Sequence, residues 1–351
     1  RYVAYPDSTP DQPGGNPFGE DNPYREYHYT DDRHPELVTA ITDEAGALYK
    51  TVTYDERGRA VSSGFADGTA GGSQFDYSQL DDVEDPRVTV TGPLGRNTVY
   101  HLETYFGVSR VAGTEGLASP RCPATGLRER TYDPANGRLL SGVDEVGRLT
   151  TYDYYVDPLR RGLLKTRIEA AGTAYERVFD FDWLLPGRRK TLERWRGVRE
   201  TRYDYYADGR LHRLTEIDLD EGAVPYVTLG RSRSWTWSYT FHDAATRSRV
   251  AAMLVDGPRV DVQDITRFEY AADGALVRVV NALGHTTEYA HHNGRGMPTR
   301  IEDANGVVTR LDYSPRGWLT ALVEDEGGIA ATTRFDYLPT GLLQRVTLAD
   351  N

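Results

Sequence analysis

Hydrophobic and polar positions alternate with a period of two over many short stretches of this chain. The clearest sign is a recurring triplet of ring, polar residue and ring. It occurs as Tyr27-His28-Tyr29, Phe75-Asp76-Tyr77, Tyr152-Asp153-Tyr154, Phe179-Asp180-Phe181, Tyr203-Asp204-Tyr205, Phe268-Glu269-Tyr270 and Phe335-Asp336-Tyr337, with Leu311-Asp312-Tyr313 a near match. A period of two puts both rings on one face of a strand and the polar residue on the other. The run Trp235-Thr236-Trp237-Ser238-Tyr239 alternates as clearly. Clear helices are absent. The charged segment 189–200, with Leu192 and Trp195, comes nearest to one and reads better as strand.

Turn signals separate these strands at regular places. A glycine stands four residues after the second ring at Gly209, Gly274, Gly317 and Gly341, behind Tyr205, Tyr270, Tyr313 and Tyr337. The simpler starts Tyr54-Asp55 and Tyr132-Asp133 have Gly58 and Gly137 close behind. Glycine takes the positive φ that a tight turn needs. Apolar residues then resume, as at Leu139, Leu211, Leu276, Leu319 and Leu342. A second turn is written Asp/Asn-x-x-Gly: Asp43 to Gly46, Asp144 to Gly147, Asn281 to Gly284, Asp303 to Gly306 and Asp325 to Gly328. The acid or amide at its start accepts a hydrogen bond from the backbone two residues on and pre-forms the bend. Thr-rich runs such as Thr286-Thr287 and Thr332-Thr333 lead into the next triplet.

One unit is therefore strand, turn, strand, turn, repeating about every 20 to 25 residues. The expected fold is all-β: tandem antiparallel β-hairpins side by side in a long ribbon, held by neighbour contacts because a single hairpin is marginal. Sheet twist makes such a ribbon coil. The positions that define the repeat are Tyr54, Asp55, Gly58, Tyr132, Asp133, Gly137, Asp144, Gly147, Tyr152, Asp153, Tyr203, Asp204, Gly209, Tyr270, Gly274, Tyr313, Gly317, Tyr337 and Gly341. The regularity breaks at residues 1–26, rich in Pro, Gly and Asp (Pro6, Pro10, Pro13, Pro17, Pro23), and at 107–131, which read as a loop-rich insertion. A first repeat block then covers 27–106, and the ribbon runs over 132–351, with a less periodic stretch at 218–265.

Composition narrows the function. Hydrophobic residues are 38% and charged residues 27%, a balance that suits a folded core. The 24 Tyr, 35 Gly and 18 Pro against only 2 Met fit many short strands with tight connections. A net charge of −12, with no Lys/Arg stripe, argues against nucleic-acid binding through phosphates. The lone Cys122 excludes an intrachain disulfide framework and a multi-thiolate metal site, and beside Pro123 it reads as structural. No run of 18 apolar residues exists and the start lacks a signal-peptide pattern. Arg1 and Asn351 both fall within what reads as continuing structure, so the expectation is a segment of a longer chain.

These residues resemble the YD-repeat, or Rhs, family. The most specific matches are Tyr132-Asp133-Pro134-Ala135-Asn136-Gly137-Arg138-Leu139 and the run from Asp144 to Asp153. The stretches His34 to Gly46 and Tyr54 to Ser63 look like the amino-terminal half of bacterial Rhs cores, and the resemblance covers roughly 27–351. It implies a β-ribbon wound into a hollow cocoon, which in bacterial members encloses a carboxy-terminal toxin domain for type VI secretion or within insecticidal toxin complexes. Related repeats form a cell-surface barrel in animal teneurins. The implied partners are the rest of the same chain, its enclosed toxin domain and secretion spike or adaptor proteins. The implied route is synthesis in the bacterial cytoplasm followed by secretion or delivery to a target cell, with the cell surface as the alternative. Neither a self-cleaving closing segment nor a toxin domain is found before Asn351, so no catalytic residue carries over.

No catalytic, cofactor-binding or metal-binding residue stands out. Asp81, Asp82, Glu84 and Asp85 lack the spacing of a calcium loop and read as a solvated acidic loop. The neighbours His291 and His292 would face opposite ways in a strand, and His101, His212, His242 and His285 have no ligand-like spacing. The arginines after turn glycines, Arg59, Arg138, Arg148 and Arg210, are expected to pair with nearby acids or face solvent. GxSxG and phosphate-cradling motifs are absent. Two other readings stay open. A carbohydrate- or protein-binding scaffold would expose Trp235, Trp237 and Trp318 in a groove, whereas a shell would pack its rings along the ribbon. A carbohydrate-processing enzyme would need two converging acids with perturbed pKa values.

Overall fold

The computed structural model describes residues 2–4, 24–65, 71–119, 123–222 and 228–349, and within these the regular structure is strand. Cys122 and the prolines Pro6, Pro10, Pro13, Pro17 and Pro23 lie outside the described residues. The strands follow in chain order, beginning with β1 (Tyr2–Ala4), β2 (Tyr24–His28), β3 (Ala40–Thr42), β4 (Leu48–Tyr54), β5 (Ala60–Phe65) and β6 (Ser73–Asp76). Next are β7 (Arg87–Thr91), β8 (Asn97–Tyr105), β9 (Val108–Gly116), β10 (Arg128–Tyr132), β11 (Leu139–Val143) and β12 (Leu149–Tyr154). The middle holds β13 (Leu164–Glu169), β14 (Arg177–Leu184), β15 (Arg189–Trp195), β16 (Arg199–Tyr205), β17 (Leu211–Asp218) and β18 (Ser232–Phe241). Then come β19 (Val250–Asp256), β20 (Ile265–Tyr270), β21 (Leu276–Val280), β22 (Thr286–His292) and β23 (Pro298–Glu302). The last are β24 (Val308–Tyr313), β25 (Leu319–Glu324), β26 (Ala331–Tyr337) and β27 (Leu343–Thr347).

The chain divides into two compact units, one of residues 1–74, 239–253 and 266–351, the other of 75–238 and 254–265. In the first, β1 to β5 pair each with the next, β5 pairs with the start of β6, and β20 to β27 repeat the arrangement, all antiparallel. In the second, β7 to β18 do the same. This is the tandem antiparallel hairpin ribbon that the period-two pattern predicts. A single sheet layer buries little outright. Val99, Leu163, Phe181, Ala252, Leu311, Ala321 and Val323 are its buried apolar side chains among the described residues, and most rings are half-buried.

The segment 189–200 forms β15 and the start of β16, and Trp235 to Tyr239 lie in β18. Residues 107–131, read as a loop-rich insertion, hold β9 and the start of β10, with no strand among the described residues between them. Glycines there suggested loops, but Gly113 sits in the ladder opposite His101, where an added Cβ would stand 3.2 Å from the His101 side chain. Glycine in a strand is one mark of such close approach. The less periodic stretch 218–265 carries β18, where Trp235 to Tyr239 alternate as a strand should, and β19.

Candidate functional site: the stacked turns of the ribbon

Both turn types close in the same way. In the Asp/Asn-x-x-Gly turns the first residue's N–H donates to the carbonyl four residues on, and the glycine N–H donates back to the first residue's carbonyl. This holds at Asp43, Asp144, Asn281 and Asp303, and also at Asp55 and Asn293. The turn expected from Asp325 to Gly328 differs: its second bond runs from the Ala330 N–H to the Asp325 carbonyl, and positive φ falls on Asp325 (+53°) and Ala330 (+55°) instead of Gly328. In the regular turns the side-chain oxygen then accepts two more backbone N–H groups. Asp144 Oδ1 takes those of Val146 at 3.1 Å and Arg148 at 2.9 Å, and Asn281 Oδ1 those of Leu283 at 2.9 Å and His285 at 3.0 Å. The glycine has positive φ, as expected of a three-residue hairpin loop. The Arg148 and Val146 backbone donors and the Arg148 guanidinium hold the Asp144 carboxyl below the usual range; for Asp303 the Val307 N–H, then that of Asn305, has the same effect. The turns at Gly209, Gly274, Gly317 and Gly341 share this backbone closure, starting from Tyr206, Ala271, Ser314 and Leu338.

At the Tyr positions the ladder departs from simple alternation. The register shifts by one residue between Thr53 and Tyr54, Thr131 and Tyr132, Asp153 and Tyr154, Asp204 and Tyr205, Glu269 and Tyr270, Asp312 and Tyr313, and Asp336 and Tyr337. Each is a β-bulge, which bends and twists the strand locally. The tyrosine ending the strand turns its hydroxyl back to a carbonyl across the ribbon. Tyr54 donates to Val38 at 2.7 Å, Tyr132 to Val111 at 2.8 Å and Tyr154 to Leu139 at 2.9 Å. Tyr205 donates to Lys190 at 2.8 Å, Tyr313 to Pro298 at 3.2 Å and Tyr337 to Leu319 at 2.8 Å. Burial pushes the phenols of Tyr54, Tyr154, Tyr205 and Tyr313 up. In the triplets 152–154 and 203–205 the rings are half-buried and Asp153 and Asp204 exposed, as alternation requires.

Successive turns stack on each other. Arg295 donates to the Pro315 carbonyl of the next turn at 3.0 Å, and Arg316 to Pro339 at 2.9 Å. A Cβ at Gly317, where φ is +84°, would come within 3.0 Å of Arg295 Cδ, so this glycine serves both the turn and the stacking. Trp318 lies against Tyr337, with ring centroids 5.3 Å apart, and under the Arg316 guanidinium at 4.8 Å. Arg59, Arg148 and Arg210 pair with Asp55, Asp144 and Asp208, while Arg138 sits 6.0 Å above the Tyr154 ring.

A second pattern, arginine–carboxylate–arginine clamps across the strands, escaped notice in the sequence. Glu169 sits between Arg167 and Arg177, Glu200 between Arg194 and Arg202, Glu216 between Arg199 and Arg233, and Glu269 between Arg267 and Arg278. The i, i+2 spacing of Arg167–Glu169, Glu200–Arg202 and Arg267–Glu269 was the available signal, because such residues share a strand face. Glu200 is buried; desolvation alone would raise its pKa, but Arg194 and Arg202 hold it below the usual value.

The other expected features are scattered. Asp82 Oδ1 accepts the N–H groups of Glu84 and Asp85, Asp85 pairs with His101 of β8 at 2.8 Å, and residues 81–84 are exposed. His291 has φ of +54° and is passed over by a ladder that pairs Ala290 and His292. Among the described residues no group of three or more His, Cys, Asp or Glu side chains is placed to hold a metal ion, and no helix is long and apolar enough to cross a membrane. Trp235 and Trp237 are half-buried in β18. An open groove of about 520 Å³ is lined by Trp195, Arg199, Glu216, Asp218, Arg231 and Arg233.

Residues 292–329 match the RHS Repeat family. Among solved structures, the chain is similar to the Photorhabdus luminescens Tc holotoxin pore in a TccC3 mutant, at 14% identity and TM-score 0.40 over 88% of this chain and 20% of that one. It is also similar to TcdB2-TccC3-TEV (13% identity, TM-score 0.39, 94% of this chain and 20% of that). A third is TcdB2-TccC3 without its hypervariable C-terminal region (14%, 0.38, 88% and 20%). The chain thus spans about a fifth of the length of these structures. No curated protein matches.

Proposed function

This chain belongs to the YD-repeat, or Rhs, family, and from that premise we propose that it is a non-enzymatic segment of a bacterial toxin shell that walls off a carboxy-terminal toxin domain for delivery. The stacked-turn unit carries this reading. The repeated Tyr hydroxyls and turn carboxylates are tied to the backbone of their own ribbon, which is what a wall needs. General acid catalysis calls for a carboxyl with a raised pKa, whereas Glu44 and Glu200 are buried against guanidinium groups that keep them ionised. On this reading Tyr54, Asp55, Gly58 and their counterparts are structural repeat positions, and the repeat blocks 27–106 and 132–351 are parts of one wall. Its partners are the rest of its own chain and the enclosed toxin, with spike or adaptor proteins of a type VI or toxin-complex machine at delivery. It is made in the bacterial cytoplasm and secreted or delivered.

The groove beside Trp195 favours a second reading, a secreted or cell-surface scaffold that binds carbohydrate or protein. Intact mass of the full-length protein, denatured and native, separates the two. A cleaved carboxy-terminal piece that still travels with the repeat body supports the shell. A single uncleaved chain without a retained fragment moves the weight to the scaffold.

A further inference from the structure

The first Asp-x-x-Gly turn is unlike the others in its surroundings. Asp43 and Glu44 are buried, the Glu44 side chain with no exposure at all, although both sit in a turn between β3 and β4. Their partners come from three other places in the same unit. Glu44 Oε1 lies 3.1 Å from Arg25 of β2 and 2.9 Å from Arg295, in the turn between β22 and β23. The Asp43 carboxylate meets Arg316, in the turn between β24 and β25, whose guanidinium also stands 5.8 Å from the Tyr49 ring centroid. Arg295 and Arg316 are the same residues that tie each late turn to the next. The ribbon alternates its turns between two edges, so a turn of one edge near its start is seated on the stacked turns of the other edge some 250 residues later in sequence (44 to 295).

We propose that Asp43 and Glu44, with Arg25, Arg295 and Arg316, form an ionic latch that locks one edge of the ribbon onto the other and opens when Glu44 loses its charge. Hydrophobic burial is a poor alternative at this place, because turns present backbone and polar side chains. A carboxylate removed from water is stable only while its cationic partners remain, and losing one side of such a pair is far costlier than the pair is worth. The same dependence makes the latch selective: it fails as a unit, while hairpins held by backbone ladders persist. Desolvation alone would raise the pKa of Glu44, but its own backbone N–H, Arg295 and Arg25 hold it below its ordinary value. The latch therefore stays shut at neutral pH and in mild acid. Its stabilisation is lost as the pH falls through that depressed value. The groups facing Glu44 are Arg25 and Arg295, with Asp43 and Arg316 alongside.

Amide hydrogen exchange on the whole chain tests this. In Glu44→Gln the protected turn amides of Gly46, Gly296 and Gly317 should exchange at least about tenfold faster, with the β8–β9 hairpin unchanged. The unaltered protein should show the same selective loosening when the pH is lowered from 7 to below about 4, after correction for intrinsic rates. Arg295→Lys keeps the charge but loses the guanidinium whose Nη2 reaches both Glu44 and the Pro315 carbonyl, and should give the same pattern more weakly if Glu44→Gln does not accumulate as folded protein. Exchange at the three turns that does not change, or that rises equally in β8–β9, overturns the latch.

Discussion

The smallest unit of this fold is one tyrosine at one bulge. Tyr154 places a half-buried ring under the Arg138 guanidinium and a hydroxyl on the Leu139 carbonyl, so ring and hydroxyl do separable jobs. Removing the hydroxyl alone, in Tyr154→Phe, should cost about 1 kcal/mol, the usual net worth of one hydrogen bond. Removing the ring as well, in Tyr154→Ala, should cost roughly 3 kcal/mol or more. Urea unfolding midpoints of the two variants would decide it. Equal losses would mean that the hydroxyl, and not the packing, holds the bulge. The alternation of rings and acids was legible in the sequence because side-chain direction has a strict period of two. The bulge was not, since an extra residue in one strand leaves the ring spacing untouched and is settled by the partner strand.

Turns are the element that the sequence disclosed most fully. At Asp43, Asp144, Asn281 and Asp303 the Asp/Asn-x-x-Gly pattern names both the acceptor and the residue with positive φ, whereas at Asp325 positive φ moves to Asp325 and Ala330. Asn281→Ala removes an acceptor for two backbone N–H groups while leaving charge unchanged, and should destabilise by about 1 kcal/mol. A thermal melt beside Asn281→Asp would separate the acceptor from the amide. The aspartate variant should match the parent at neutral pH and weaken in acid, as the native turn at Asp303 should. The Val307 and Asn305 donors depress the Asp303 pKa, so its contribution is present above the unfolded value and lost as the pH falls through the folded one. Less legible was 107–131, where Gly113 marks a crowded strand instead of a loop. Glycine reports close approach and turn alike, and only the opposing His101 tells which.

At the scale of the whole molecule, local rules give way to contacts between segments far apart in sequence. The burial of Glu44 follows from Arg295, and no reading of residues 43–46 alone reveals it. The repeated tyrosines have a collective consequence at the opposite end of the pH scale. Burial raises the phenols of Tyr54, Tyr154, Tyr155, Tyr205 and Tyr313 in the folded chain, in Tyr155 with help from Asp182. A raised folded value means that the unfolded chain releases its phenolic protons first. Stability is then complete below the ordinary phenol value of about 10 and is lost as the pH climbs through the folded values. Phenolate absorbance and far-ultraviolet circular dichroism, followed together from pH 8 to about 12, should show a first group of the 24 tyrosines ionising with the ribbon intact. The remainder should ionise only as the strand signal collapses. One smooth phenol titration over an unchanged strand signal would show that the hydroxyl-to-carbonyl ties do not hold the repeats together. Single deletions cannot show this, because each repeat rests on its neighbours and the array shares the loss.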